Sequence, residues 1–208
     1  MPRLKICGIN DAAFAAEAAR RGVDYLGFIF ASGSPRRVSP DAAREIIDFV
    51  RTVISFPSRP RFVGVFTSHS VNEIAKIAGF AELDAVQLHS RDYGADEIAE
   101  LKAKGLEVWV LHGRESDAEQ IADAVLLDGC DGERSGGTGR RADWSLVAEL
   151  KAEGRRVVLA GGISADNIAA AAETGADIID VNSSLETSPG VKSAARLDSL
   201  FEALASAP

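Results

Sequence analysis

Val157-Val158-Leu159-Ala160-Gly161-Gly162-Ile163-Ser164-Ala165-Asp166-Asn167-Ile168, followed beyond Gly175 by Ile178-Ile179-Asp180-Val181, reads as one strand–helix–strand unit. The first run is continuously apolar, as a strand covered on both faces must be. A diglycine ends it. The segment from Ile168 to Thr174 has helical character and stops at Gly175, and the second apolar run follows at once. Two successive buried strands joined through a helix pair in parallel with a right-handed crossover.

The same alternation repeats along the chain. Further apolar runs are expected as strands at residues 4–6, 25–30, 62–66, 85–88, 108–111 and 124–127, which with 157–160 and 178–181 makes eight. Ala12 to Ala19 is helical in pattern, and Ser39-Pro40 supplies an N-cap and a first-turn proline for another helix. The helix expected at 117–121 is short. At 208 residues this α/β pattern predicts a closed (β/α)8 TIM barrel. No Pro/Gly/Ser linker divides it, so residues 1–208 are read as a single domain.

An internal echo accompanies the alternation. The even strands are entered through Gly22-Val23-Asp24, Glu82-Leu83-Asp84, Ile121-Ala122-Asp123 and Gly175-Ala176-Asp177. Three odd strands are entered through basic residues: Arg3 and Lys5, Arg61, and Arg155-Arg156. A repeat of two βα units suits alternating core layers, although short turns favour Asp in any case.

Composition narrows function. A net charge of −8 disfavours nucleic acid, whose phosphates select basic faces, but local arginines and amides can still hold a small anion. No apolar run approaches the roughly 18 residues of a membrane span. Met1-Pro2-Arg3-Leu4-Lys5 leads directly into a strand without a signal-peptide pattern. Cys7 and Cys130 make neither a disulfide framework nor a Cys-x-x-Cys site. A cytoplasmic protein is expected.

In such a barrel the chemistry belongs to the loops after the strands. Those positions hold Cys7, Ser34-Pro35-Arg36, Thr67, His89, His112, Asp128, Gly161-Gly162 and Asn182-Ser183-Ser184. Cys7 alone reads as a small buried hydrophobe, and Asp128 alone as a solvated loop residue. Together at strand ends they suggest a proton-transfer pair, with the thiolate as base if cationic neighbours lower its pKa, and the half-withdrawn carboxylate as acid. Gly161-Gly162 before a helix, with Asn182-Ser183-Ser184, suggests a phosphate cradle. The second cluster, Gly136-Gly137-Thr138-Gly139, fits either a cradle or a plain turn. His69, His89 and His112 lack metal-ligand spacing and are read as structural or substrate-shaping. Cys130, beside Asp131 and Glu133, reads as an incidental thiol.

The chain resembles the phosphoribosylanthranilate isomerase family, barrel enzymes of tryptophan biosynthesis. The matching segments are Lys5-Ile6-Cys7-Gly8-Ile9, Gly27-Phe28-Ile29-Phe30 with Ser34-Pro35-Arg36, Val63-Gly64-Val65-Phe66 and Val86-Gln87-Leu88-His89. They continue with Leu126-Leu127-Asp128, Gly136-Gly137-Thr138-Gly139 with Asp143-Trp144, Leu159-Ala160-Gly161-Gly162, and the run from Asp180 to Lys192. The resemblance implies an Amadori rearrangement of N-(5-phosphoribosyl)anthranilate to 1-(2-carboxyphenylamino)-1-deoxyribulose 5-phosphate. It assigns Asp128 as general acid, Cys7 as general base and Arg36 to the anthranilate carboxylate. Gly137, Gly161, Gly162, Ser183 and the Asp180 strand end are assigned to the phosphate. It implies no cofactor and no metal, a small phosphosugar as sole partner, and a monomer or homodimer. Ser90, Asn10 and Ser184 depart from the family pattern, the last beside the phosphate loop.

Three other readings remain on residues alone. A histidine-pathway aminoaldose isomerase is disfavoured by Cys7, where Asp is expected. A metal-dependent pentose-phosphate epimerase lacks its ligand spacing. A non-catalytic phosphosugar-binding barrel would need neither Cys7 nor Asp128.

Overall fold

The computed structural model of the chain describes residues 1–55, 58–113, 116–129 and 142–206. Eight strands, β1 (Arg3–Ile6), β2 (Tyr25–Ile29), β3 (Arg61–Phe66), β4 (Ala85–Leu88), β5 (Glu107–Leu111), β6 (Ala124–Leu127), β7 (Val157–Leu159) and β8 (Ile178–Val181), form a closed barrel in sequence order. All neighbours are parallel, and β1 closes on β8 with Lys5 registered against Asp180. The helices α1 (Ala12–Arg20), α2 (Pro40–Val53), α3 (Val71–Ala81), α4 (Ala95–Ala103), α5 (Ser116–Ile121), α6 (Leu146–Ala152), α7 (Ile168–Glu173) and α8 (Ala194–Ala205) alternate with them.

Local chemistry explains the helix starts. The Ser39 hydroxyl accepts from the Ala42 amide with Pro40 in the first turn of α2. Ser70 and Glu73 form a reciprocal capping box on α3. Gly175 ends the α7 segment at φ +85°, a conformation glycine adopts without a Cβ penalty. No helix among the described residues is long and apolar enough to cross a membrane.

One element lies outside the alternation. After β8 the chain makes a 3-10 turn (Ser183–Leu185) and an antiparallel hairpin of β9 (Glu186–Ser188) and β10 (Val191–Lys192) before entering α8.

The internal echo has a structural basis. The carboxylates of Asp24, Asp84, Asp123 and Asp177 accept from the amides of Leu4, Phe62, Val108 and Val157, at 2.8, 2.7, 2.8 and 2.7 Å. Each aspartate amide donates back to the carbonyl of that same residue. One reciprocal clamp therefore ties each even strand's entry turn to the preceding odd strand, four times around the barrel.

The odd strands also start one residue earlier than the apolar runs suggest at β1, β3 and β5, because Arg3, Arg61 and Glu107 are charged yet belong to the strand. With Arg156 they close the barrel floor. The Glu107 carboxylate accepts from Arg156 Nη1 and Trp109 Nε1, each at 2.6 Å, and from Arg61. Tyr25 Oη accepts from Arg3 at 2.8 Å and Arg156 at 2.7 Å. Above this floor Tyr25, Val63, Ala85, Trp109, Val158 and Ile178 belong to an apolar cluster inside the barrel, so the lumen is filled rather than open.

Glu107 is the carboxylate that joins Arg61 and Arg156 in this floor network. Burial pushes its carboxyl upward, but the bonds from Trp109 and Arg61 and the charges of Arg61 and Arg156 hold it below the usual range. A group with a lowered folded pKa contributes stability above its unfolded value, about 4.3 for Glu, and loses it as pH falls through the folded value. Glu107→Gln should therefore cost about 3 kcal/mol at neutral pH, the low end for removing one partner of a buried pair because this rim is partly solvated. Thermal melts should fall by about 6–12 °C. The deficit should shrink below about pH 4; a deficit independent of pH would make the effect steric.

Candidate active site

The ends of the strands enclose a cavity of about 440 Å³ lined by Cys7, Arg36, His89, Asp128, Gly161 and Ser183, among others. Cys7, Arg36, Asp128, Gly161, Gly162, Asp180 and Ser183 all border this one space. Gly137 and Cys130 lie outside the described residues.

Cys7 follows β1, and its amide donates to Val181 O at 2.9 Å. Gly8 then turns away at φ +73°. A Cβ there would meet Asn182 Oδ1 at 2.7 Å and Arg36 Cδ at 2.9 Å, so the Cys-Gly pair lets Arg36 and Asn182 pack beside the thiol. Beneath Cys7, on the same face of β1, Lys5 is fully buried. Its ammonium donates to Asp180 Oδ2 at 2.6 Å and Gln87 Oε1 at 3.0 Å. Burial opposes the charge on Lys5, but Asp180 and Cys7 outweigh it and raise its pKa.

The thiol departs from expectation. Burial pushes Cys7 up from the ordinary thiol range, Lys5 pulls it down, Asp180 pushes it up again, and Lys192 pulls it down. The net direction is upward, so in the free site the desolvation of a thiolate exceeds the help from its cations.

Asp128 follows β6 and is largely withdrawn from solvent, with Oδ2 3.4 Å from His89 Nε2. Gly161 holds φ +83°, and a Cβ on it would meet Gly129 N at 2.5 Å and Asp128 Oδ1 at 3.0 Å. The diglycine thus permits the turn after β7 to press against the carboxylate as well as lining the cavity. The helix beyond it, α7, is only 6 residues, so an anion cradle here would rest on the turn and not on a helix dipole. Gly162 also has a positive φ of 66°, and its carbonyl is held by Asn167 Nδ2 at 3.0 Å.

The Asp180 carboxylate is committed to Lys5 through Oδ2, and its buried Oδ1 has no hydrogen-bond partner among the described residues. Two anions repel, so at this strand end the atoms suited to a phosphate belong to Asn182 and Ser183, not to that side chain. Ser184 Oγ is buried without a hydrogen-bond partner among the described residues.

Arg36 is already engaged. Its Nε and Nη2 donate to Glu186 Oε1 and Oε2 at 2.8 and 2.7 Å in a bidentate fork. Glu186 comes from β9 and also accepts from Lys192 Nζ of β10 at 3.1 Å. Lys192 donates further to Asn182 O and Oδ1 at 3.0 and 2.9 Å. Glu186 and Lys192 are the site residues that the sequence reading assigned no role. The Pro189-Gly190 turn between them is a hairpin signal, but nothing local in sequence shows that the hairpin folds under Arg36.

The histidines separate. His89 alone borders the cavity. His69 packs edge-on against Phe66, ring centroids 5.3 Å apart, and His112 Nδ1 lies 3.2 Å from Glu119.

Comparison with known proteins agrees with this geometry. Residues 4–203 match the family model described as N-(5'phosphoribosyl)anthranilate (PRA) isomerase. The chain is 35% identical over 208 residues to the N-(5'-phosphoribosyl)anthranilate isomerase of Campylobacter jejuni, covering 98% of this chain and 99% of that one. The crystal structure of phosphoribosyl anthranilate isomerase from Thermus thermophilus superposes with a TM-score of 0.81 at 34% identity, covering 98% of each chain. A phosphoribosyl anthranilate isomerase in complex with reduced 1-(o-carboxyphenylamino)-1-deoxyribulose 5-phosphate does so at 0.79 and 28% identity, covering 99% of each. On the family match and the near-complete overlap with its relatives, the chain belongs to the N-(5'-phosphoribosyl)anthranilate isomerase family.

Proposed function

We propose that the chain isomerises N-(5'-phosphoribosyl)anthranilate to 1-(2-carboxyphenylamino)-1-deoxyribulose 5-phosphate, with Asp128 as general acid and Cys7 as general base. The observation that carries this reading is the common cavity bordered by Cys7, Asp128, Arg36 and the Gly161-Gly162 turn. Its volume, about 440 Å³, is that of a small-ligand pocket. The complex of a family member with a reduced form of the same product supports it.

In this mechanism Asp128 protonates the ribose ring oxygen while the anthranilate nitrogen pushes its lone pair toward C1′. The C1′–O bond breaks and an iminium forms. Cys7 as thiolate removes the C2′ proton, and the C2′–H electrons collapse the iminium to an enolamine, which tautomerises to the ketone. The substrate's own nitrogen is the electron sink, so the step calls for no added electrophile. His89, 3.4 Å from Asp128, orients that carboxylate. The edge of Arg36 not occupied by Glu186 receives the anthranilate carboxylate, and Gly161, Gly162 and Ser183, with Gly137 and the strand end at Asp180, surround the phosphate.

Cys7→Ser should reduce kcat by about 10²–10⁴-fold, because a hydroxyl is a far weaker base, while the circular dichroism spectrum is unchanged. A folded variant with near-normal kcat would reject the thiolate. Asp128→Asn should lower kcat with little change in KM, as expected for an interaction used in the transition state; a raised KM at constant kcat would make it a binding residue. Arg36→Ala should raise KM by roughly 10²-fold, the loss of a charge-assisted pair. An equal loss on an analogue lacking the carboxylate would show that Arg36 acts elsewhere.

A further inference from the structure

Lys5 has no role in binding or in the proton transfers, yet its ammonium is sealed inside the barrel directly below the thiol. Lys5 lies in β1 and Cys7 two residues on, just past its end and still bonded to Val181 O, so the two side chains share a face. Both press on the same empty position of β2: a Cβ at Gly27 would lie 3.0 Å from Cys7 Sγ and 3.2 Å from Lys5 Cε. Of the three ammonium protons, one goes to Asp180 and one to Gln87, and the same ammonium interacts electrostatically with Cys7. The stem is fixed from the side as well, with Nζ 6.0 Å from the centroid of the Trp109 ring.

We propose that Lys5 is the positioning residue for the base: its buried ammonium, shared between Asp180 and Cys7, supplies the counter-charge that lets the sulfur ionise and holds it toward the cavity. This inference rests on the assignment of Cys7 as base.

The charges around the thiol make the assignment specific. From β1 it is faced by Lys5, from β8 by Asp180, from β10 by Lys192, and from the loop after β2 by Arg36. His89 and Asp128 border the same cavity from β4 and β6. Val65 of β3 and Ile29 of β2 contribute only apolar contact. Arg36 and Lys192 are both ion-paired with the one carboxylate of Glu186. Lys5 is paired with Asp180, and that partner competes directly with the thiolate. Removing Lys5 and removing Asp180 must therefore move the thiol in opposite directions, a pattern that loosened packing does not produce.

The test is the pH dependence of Cys7 alkylation by iodoacetamide, followed by mass spectrometry of the peptide carrying Cys7, beside the pH profile of kcat/KM. In Lys5→Met the alkylation rate near pH 8 should fall by about tenfold or more, since a close opposite charge is worth at least one pKa unit. The lost activity should be partly recovered as pH is raised. In Asp180→Asn, where the ammonium loses its carboxylate and keeps only neutral Gln87 beside the sulfur, alkylation should become faster and its midpoint should move to lower pH. If Lys5→Met does not fold, Asp180→Asn decides: unchanged or slower alkylation overturns the inference. Shifts of the same sign in both variants overturn it too. Alkylation that moves as expected while kcat/KM ignores it would leave Lys5 tuning the thiol but reject Cys7 as the base.

Discussion

The ion pair between Lys5 and Asp180 holds the architecture and the site to one geometry. Its members stand opposite each other where β1 meets β8, 175 residues apart in sequence, at the seam that turns a twisted sheet into a barrel. Both are buried, so each charge has lost its water and must keep its partner. Removing one member of such a pair leaves an uncompensated buried charge, about 3–5 kcal/mol, whereas an apolar replacement of both is often no less stable. The pair therefore contributes register rather than net stability. A one-residue slip at the seam would turn Lys5 toward the helices, and with it Cys7.

Around that seam the barrel is a four-fold repeat of two-strand units. The four aspartate clamps anchor the amides at the starts of the odd strands, so strand starts are set at the floor and strand ends are left free to carry chemistry. The charged floor and the charged mouth are separated by the apolar interior cluster of Trp109, Leu126 and Val158. Among the described residues only the Lys5–Asp180–Gln87 rung breaks that apolar middle, and it does so beneath the thiol.

The barrel was legible in sequence because parallel strands buried on both faces appear as uninterrupted apolar runs, and because several helix stops between them, such as Gly175, are glycines. The post-strand positions of Cys7 and Asp128 followed directly. The interactions that tune them did not. Lys5 read as one basic residue at a strand entry, and nothing near it in sequence indicates an inward ammonium bound to Asp180 and Gln87. The upward shift of Cys7 is hidden for the same reason: cations in its neighbourhood are visible in sequence, but the depth of burial that opposes them depends on eight strands closing. Glu186 and Lys192 lie 150 and 156 positions beyond Arg36, counted along the chain, and their relation to it exists only after the last hairpin folds back onto the mouth.

That hairpin bears on the role proposed for Arg36, in which one arginine receives a carboxylate while already bound to another. Arg36, Glu186 and Lys192 together carry one surplus positive charge. Lys192 is almost fully buried, and its three donors are taken by Asn182 O, Asn182 Oδ1 and Glu186, so it neutralises Glu186 without competing for substrate. Glu186 holds the Nε and Nη2 edge of Arg36 rigidly, which fixes the guanidinium plane and removes the rotamer entropy that a free arginine would lose on binding. Arg36 borders the cavity and brings the surplus charge of the cluster to it. A lone arginine would supply the same charge but would have to be ordered by the substrate itself, and an arginine paired with Glu186 without Lys192 would have none to spare. In the proposed binding mode the hairpin thus completes the recognition of the anion without touching it.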